Sequence, residues 1–284
     1  MKANPHSLEN LLNEKQQWVV PVYQRHYSWK IGEDNQIDNL WDDLKDKAEE
    51  CLDEKRKLYP HFLGAVICSE PESAQFGAIP QRFLIDGQQR ITTFNILLVA
   101  LREYTKSNEF NGIYSALKSY LFNEESESMT DVSREVFKLW SSVYDRELFQ
   151  TIATSTLEEI KSKYPAYFFK NGKTRKAHAP KLLLAYLDFL EKITSYVASN
   201  REVGVTPEES LNALLNGYLK GFQLVLIELD ASDDAQEIFA SLNGLAEPLT
   251  PFDLIRNDVF LRSKKLNENS EVLFDQQWKV LETE

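Results

Sequence analysis

The stretch "FLIDGQQRITTF", Phe83 to Phe94, decides how the rest of the chain is read. An apolar run, Phe83-Leu84-Ile85, meets an acid and a glycine, then two glutamines and an arginine, and turns apolar again. This pattern reads as a strand ending at Asp86, a tight turn at Gly87 and a helix starting near Gln88. A helix N-terminus carries free N–H groups and a positive dipole end, so it suits an anion. Arg90 adds a bidentate donor, Gln88 and Gln89 add neutral donors and acceptors, and Thr92 and Thr93 add hydroxyls. Asp86 could orient a water or hold a magnesium ion beside phosphates. A plainer reading makes Asp86 the N-cap, with Gln89 reaching back as its capping-box partner. That accounts for Asp86, Gly87 and Gln89 but leaves Gln88 and Arg90 unexplained. The residues alone leave both readings open, and the two roles can coexist.

Working outward, residues 91–104 are apolar almost all round, which describes a helix buried on most sides. "HFLGAVICSE" (61–70) and "QRFLIDG" (81–87) read as two strands joined by a polar loop containing Pro71, Gly77 and Pro80. Ile37, Leu40, Trp41, Leu44, Ala48, Cys51 and Leu52 recur at helical spacing. Residues 1–17 read as a short helix, and 18–29 as an extended segment with Pro21 at an edge or bend. Further helices are expected at 113–122, 132–149, 181–198 and 208–220, with one more strand at 222–229. Helices at 234–242 and 251–262 follow, the second with Thr250 as N-cap, Pro251 at its first position and Asp253 at its third. The class is therefore α+β and helix-rich. A strand-and-helix unit at 1–105 is followed by a helical insertion at 106–220, and residues 221–284 return to complete the core.

Composition narrows the function. The 284 residues are 43% hydrophobic and 27% charged, as in ordinary globular proteins. The 10 glycines are too few for a loop-rich all-β architecture. Cys51 and Cys68 are the two cysteines, so no zinc cluster or disulfide framework is implied, which fits a reducing cytoplasm. No run reaches membrane-span length. A net charge of −12 disfavours a simple phosphate-coating DNA binder, although local basic patches can act against that field.

Two further constellations stand out. In "VPVYQRHYSWK" (20–30), Tyr23, Arg25, Tyr27 and Trp29 share one face if the segment is extended. Arg25 could bind phosphate while an aromatic stacks on a base. An edge strand with Arg25 in a cation–π ladder is the better reading from these residues alone. In "AQEIFASLNGLAEPLTPFDLIRNDVF" (235–260), Ile238, Phe239 and Leu242 form an apolar stripe. Glu237, Asp253, Arg256 and Asn257 read as a solvated face. Asn243 could reach a nucleotide or simply end its helix. "KNGKTRKAH" (170–178) is a basic turn, better read as a solvated loop than as a nucleic-acid contact.

Taken in order, "VPVYQRHYSW", "HFLGAVI", "FLIDGQQRITTFNILLVAL" and "IFASLNGLAEPLTPFDLIRNDVF" resemble the GmrSD N-terminal-domain family, the ParB/sulfiredoxin-like domain of type IV restriction and phage-defence proteins. The resemblance spans about Leu8 to Leu261, strongest at 20–29 and 83–93 and weak through the helical middle. It implies a small ParB/sulfiredoxin-like mixed sheet with a large helical insertion. It also implies binding or hydrolysis of a nucleoside triphosphate, with Mg2+, through the D-G-Q-Q-R motif of Asp86, Gly87, Gln88, Gln89 and Arg90. Asp86 and Arg90 would be catalytic, Asp86 also facing the metal. Gln24, Arg25, Tyr27, Trp29, Thr92, Thr93 and Asn243 would join the nucleotide site. The family often has a more glycine-rich turn after its late Asn than Asn243-Gly244-Leu245-Ala246. Many members carry a C-terminal HNH-type nuclease that cuts modified or foreign DNA. This chain runs to "DQQWKVLETE" (275–284), which reads as a truncated helix, so it is expected to be either a truncated form or a lone regulatory domain, a cytoplasmic sensor whose HNH-type nuclease is C-terminal or a partner. The alternatives are a non-catalytic module reading modified DNA and a protein-interaction scaffold. The oligomeric state stays open, a homodimer included.

Overall fold

The computed structural model describes residues 1–32, 35–53, 55–70, 78–230, 233, 238, 251–266 and 268–282. It is 55% helical, and among the described residues the strands form one mixed six-stranded sheet, an α+β, helix-rich fold. The strands are β1 (Lys2–Ser7), β2 (Gln17–Val19), β3 (His61–Ser69), β4 (Gln81–Asp86), β5 (Leu139–Trp140) and β6 (Phe222–Leu229). Their spatial order is β1-β6-β3-β4-β2-β5. β3 lies antiparallel to β4 and parallel to β6, and β2 lies parallel to both β4 and β5.

The long helices are α2 (Gln36–Leu52), α3 (Gln88–Ser107), α4 (Asn111–Leu121), α8 (Lys181–Glu202), α9 (Pro207–Gly221) and α10 (Pro251–Lys265). Short ones are α1 (Leu8–Asn13), α5 (Val132–Glu135), α6 (Arg146–Thr154), α7 (Leu157–Lys163) and α11 (Ser270–Leu273). Helix α3 is the centre of the molecule. Fifteen of its 20 residues are buried, and it packs against α4, α6, α8 and β5. Its buried charges have work at the helix's far end. Arg102 donates to the carbonyls of Ala153 and Ser155 at the end of α6, and Glu103 accepts the Leu157 N–H at the start of α7. Helix α2 buries Ile37, Leu40, Trp41, Leu44 and Ala48 at the expected spacing. It lies unusually close to α9, because a Cβ at Gly217 would sit 2.9 Å from the Ala48 nitrogen and 3.0 Å from the Lys47 carbonyl carbon.

Three expectations fail, each for a tertiary reason. Residues 1–17 are not one helix: Lys2–Ser7 form an edge strand, and only Leu8–Asn13 are helical. The polar, largely exposed β1 has no alternation to announce it and exists by pairing with β6. Residues 132–149 are not one helix either. The Gln17 amide donates to the carbonyls of Arg134 and Phe137, while Trp18 and Val20 donate to those of Lys138 and Trp140. Acceptors that a continuing helix would use are thereby drawn into the sheet, and the segment splits into α5, β5 and α6. Finally, 18–29 is extended only as far as β2, and Pro21–Gln24 then closes a turn with the Gln24 N–H on the Pro21 carbonyl. The helix expected at 234–242 lies outside the described residues except for Ile238.

One buried lysine spans this rearrangement. Lys138 Nζ donates to the carbonyls of Leu12 and Asn13 at the end of α1, at 2.7 and 3.2 Å. Burial lowers its pKa to about 8. Because the unfolded chain holds this proton up to about 10.4, stability from this group rises between pH 8 and 10.4 and is lost as pH falls through about 8. Urea unfolding across that window should therefore show wild type gaining stability relative to Lys138→Met as pH rises; parallel curves would disprove it. At the α2–α9 contact, Gly217→Val should cost about 1–3 kcal/mol by overpacking, and an unchanged urea midpoint would show that the helices part freely.

Candidate functional site at the β4–α3 corner

Strand β4 ends at Asp86, opposite Ile67 of β3. Gly87 then turns the chain with φ 86° and ψ 9°, a left-handed conformation, and is the N-cap of α3. A Cβ there would lie 2.8 Å from Val66 Cγ2 and 3.1 Å from Val66 Cα. Position 87 therefore requires glycine twice, for its backbone angle and for its closeness to β3. The capping-box reading is thus corrected: the cap is Gly87, which has no side chain, and the Gln89 amide is spent elsewhere. Among the described residues, no side chain accepts from the N–H groups of Gln88, Gln89 and Arg90, and none donates to the half-buried Asp86 carboxylate. Gln88 and Thr92 are buried beside them.

Arg90 lies along β3. Its Nη1 donates to the Ala65 carbonyl at 3.1 Å, and a Cβ on Gly64 would be 3.3 Å from the guanidinium. The β3–β6 register shifts between Phe62 and Ala65, so a sheet irregularity and a missing side chain together make room for it. The corner thus places a carboxylate, a helix N-terminus and an arginine along a few consecutive residues.

The segment after β2 is stitched to this corner by amides. Gln24 Nε2 donates to the Ile85 carbonyl at 3.0 Å. Gln89 works in both directions, its Oε1 accepting the Ser28 N–H at 2.8 Å and its Nε2 donating to the His26 carbonyl at 3.1 Å. Thr93 donates to the Gln89 carbonyl, so the Tyr27 hydroxyl donates to Thr93 Oγ1, both at 2.7 Å. The Tyr27 N–H and the Ser142 hydroxyl both donate to Asp145 Oδ2 at 2.7 Å. Burial raises the Asp145 carboxyl pKa against the lowering effect of those two bonds, and burial raises the Tyr27 phenol as well. Trp29 packs on the main core. Arg25 is half-buried on the same segment.

The family model described as the GmrSD restriction endonuclease, N-terminal domain, matches residues 8–260. The chain belongs to this family. No curated protein matches it. Within this GmrSD N-terminal domain the sequence motifs at 24–29 and 86–93 are one contiguous structure. Asn243 lies outside the described residues. Arg256, read from sequence as part of a solvated face, is instead buried, with Nε donating to the Tyr23 carbonyl at 2.8 Å and Nη1 to the Tyr144 hydroxyl at 3.2 Å. Asp145 is hidden in the sequence because the expected 132–149 helix runs through it. Its signal was the Ser142-x-x-Asp145 spacing ahead of α6. No helix among the described residues is long and apolar enough to cross a membrane.

The amide clamp is testable. Gln89→Ala should lower unfolding free energy by about 1–3 kcal/mol, two net hydrogen bonds. Gln89→Glu should be no better, because a carboxylate oxygen would face the His26 carbonyl; a Glu variant as stable as wild type would refute the clamp.

Proposed function

We propose that this GmrSD N-terminal domain binds a nucleoside triphosphate at the β4–α3 corner, hydrolyses a phosphoanhydride bond, and serves as the sensor that regulates an associated HNH-type nuclease acting on foreign or modified DNA. The observation that supports the reading is that Asp86 ends β4, the N–H groups at 88–90 open α3 without a side-chain cap, and Arg90 stands in the first turn of the same helix. The charges suit the chemistry: phosphoryl transfer needs positioning and charge stabilisation more than covalent help. Helix amides and Arg90 would hold phosphate oxygens, with Arg25 on the neighbouring segment as the second cation. Asp86 would orient the attacking water.

Magnesium fits this donor set. It is commonly held by one or two carboxylates together with substrate phosphates and water, and Asp86 supplies one carboxylate, while no group of three or more acidic, His or Cys ligands exists among the described residues. When bound it would neutralise charge on the phosphates. The Gln24, Gln89 and Tyr27 bonds act one step back, fixing the segment that bears Arg25 against the helix start.

Phosphate release with each of the four nucleoside triphosphates and Mg2+ tests the proposal. Asp86→Asn and Arg90→Ala should each lower turnover roughly 10²–10³-fold, the usual cost of losing one aligned charge-stabilising group. Wild type should also gain melting temperature with the preferred nucleotide. Unchanged turnover in both variants would sink the reading.

A further inference from the structure

The loop between α7 and α8 carries a second surface. From Lys161 to Lys181 there are seven Lys or Arg and no Asp or Glu, in a chain of net charge −12. The fold makes this segment a compact hairpin. Phe168 and Thr174 form an antiparallel bridge, the Phe169 N–H donates to the Lys173 carbonyl and the Gly172 N–H to the Phe169 carbonyl, both at 2.8 Å. Buried Phe168 anchors it to the main core. The hairpin's side chains are thus displayed on a defined backbone.

The cations divide into two sets. Lys161 pairs with Glu158, and Lys163 with Glu147. Lys170, Lys173, Arg175 and Lys176 are exposed, and none of them meets a carboxylate among the described residues. The Arg175 guanidinium lies over the Phe169 ring, 4.9 Å from its centroid, and Phe169 is 52% exposed. An exposed aromatic held against an arginine among unneutralised cations matches the two needs of a nucleic-acid strand, phosphate neutralisation and a stacking platform. A lipid surface would call for a broad apolar face, which a single exposed aromatic does not provide.

We infer that the 168–178 hairpin is a nucleic-acid contact, in which Lys170, Lys173, Arg175 and Lys176 neutralise backbone phosphates and Phe169 with Arg175 stacks on an unpaired base. The hairpin leads into α8, whose first residue touches the segment bound to the β4–α3 corner. Lys181, at the start of α8, donates to the Ser28 carbonyl at 3.1 Å, and the Ser28 N–H is the one held by Gln89.

Fluorescence anisotropy of the full chain with a mixed-sequence single-stranded oligonucleotide, titrated from about 50 to 200 mM salt, tests this. Changing Lys170, Lys173, Arg175 and Lys176 together to Gln should reduce the slope of log K against log salt by about 3, four phosphates at roughly 0.7 each. Phe169→Ala should weaken single-strand binding about tenfold with the slope kept. No wild-type binding at low salt, or an unaltered slope in the fourfold variant, overturns the phosphate contact. Unaltered affinity in Phe169→Ala overturns the stacking. Binding of phosphatidylserine vesicles as tight as that of DNA, lost in the same fourfold variant, would make the surface a general polyanion patch and overturn the assignment. Phosphate release measured without DNA should be the same in wild type and the fourfold variant, so failure here is distinct from failure at the Asp86 corner.

Discussion

The close passage of position 87 over Val66 is the constraint on which the molecule depends. A left-handed turn without a side chain lets β4 stop against β3 and sends α3 directly into the interior. Because α3 is buried along most of its length, α4, α6 and α8 are arranged around the line this turn sets. The same turn leaves the first N–H groups of α3 without a side-chain cap. The central structural helix and the candidate anion site therefore have one origin. The far end of the helix is tied down as well, with Arg102 and Glu103 joining the ends of α6 and α7.

Around that corner, side-chain amides take the place of a sheet ladder. After Val19 the chain leaves regular structure, and its backbone groups find partners on Gln89 and Asp145, while Gln24 reaches the Ile85 carbonyl. An irregular segment can stay buried only if its polar groups are satisfied. This explains why the conspicuous polar residues at 24–29 and 86–93 sit together even before any ligand is considered. It also divides the candidate site into groups already committed to the protein, Gln24, Gln89, Tyr27 and Thr93, and groups with capacity left for a ligand, above all Asp86 and the helix amides.

The C-terminal helices reach the same segment from the other side. Phe260, Phe274 and Trp278 cluster with Val22, and Arg256 clamps the Tyr23 carbonyl. The segment bearing Arg25 is thus held between α3 and the C-terminal end of the chain.

The sequence by itself determined much. Gly87 after an apolar run, and the unbroken apolarity of 91–104, gave the strand–turn–helix corner and the central helix. The periodicity of 37–52, 181–198 and 208–220 gave the outer helices, because one-sided burial leaves a period that can be counted. The grouping of Asp86 to Arg90 was visible for the same local reason. What only the tertiary structure decided are features whose partners lie far along the chain. β1 is a strand because β6 lies beside it, 132–149 breaks because Gln17, Trp18 and Val20 take its carbonyls, and Gln89 is a clamp because residues 26–28 present backbone to it. Local propensity is silent on such bonds. A polar side chain reads the same whether water or a backbone amide some sixty residues away satisfies it, and the fold makes that choice.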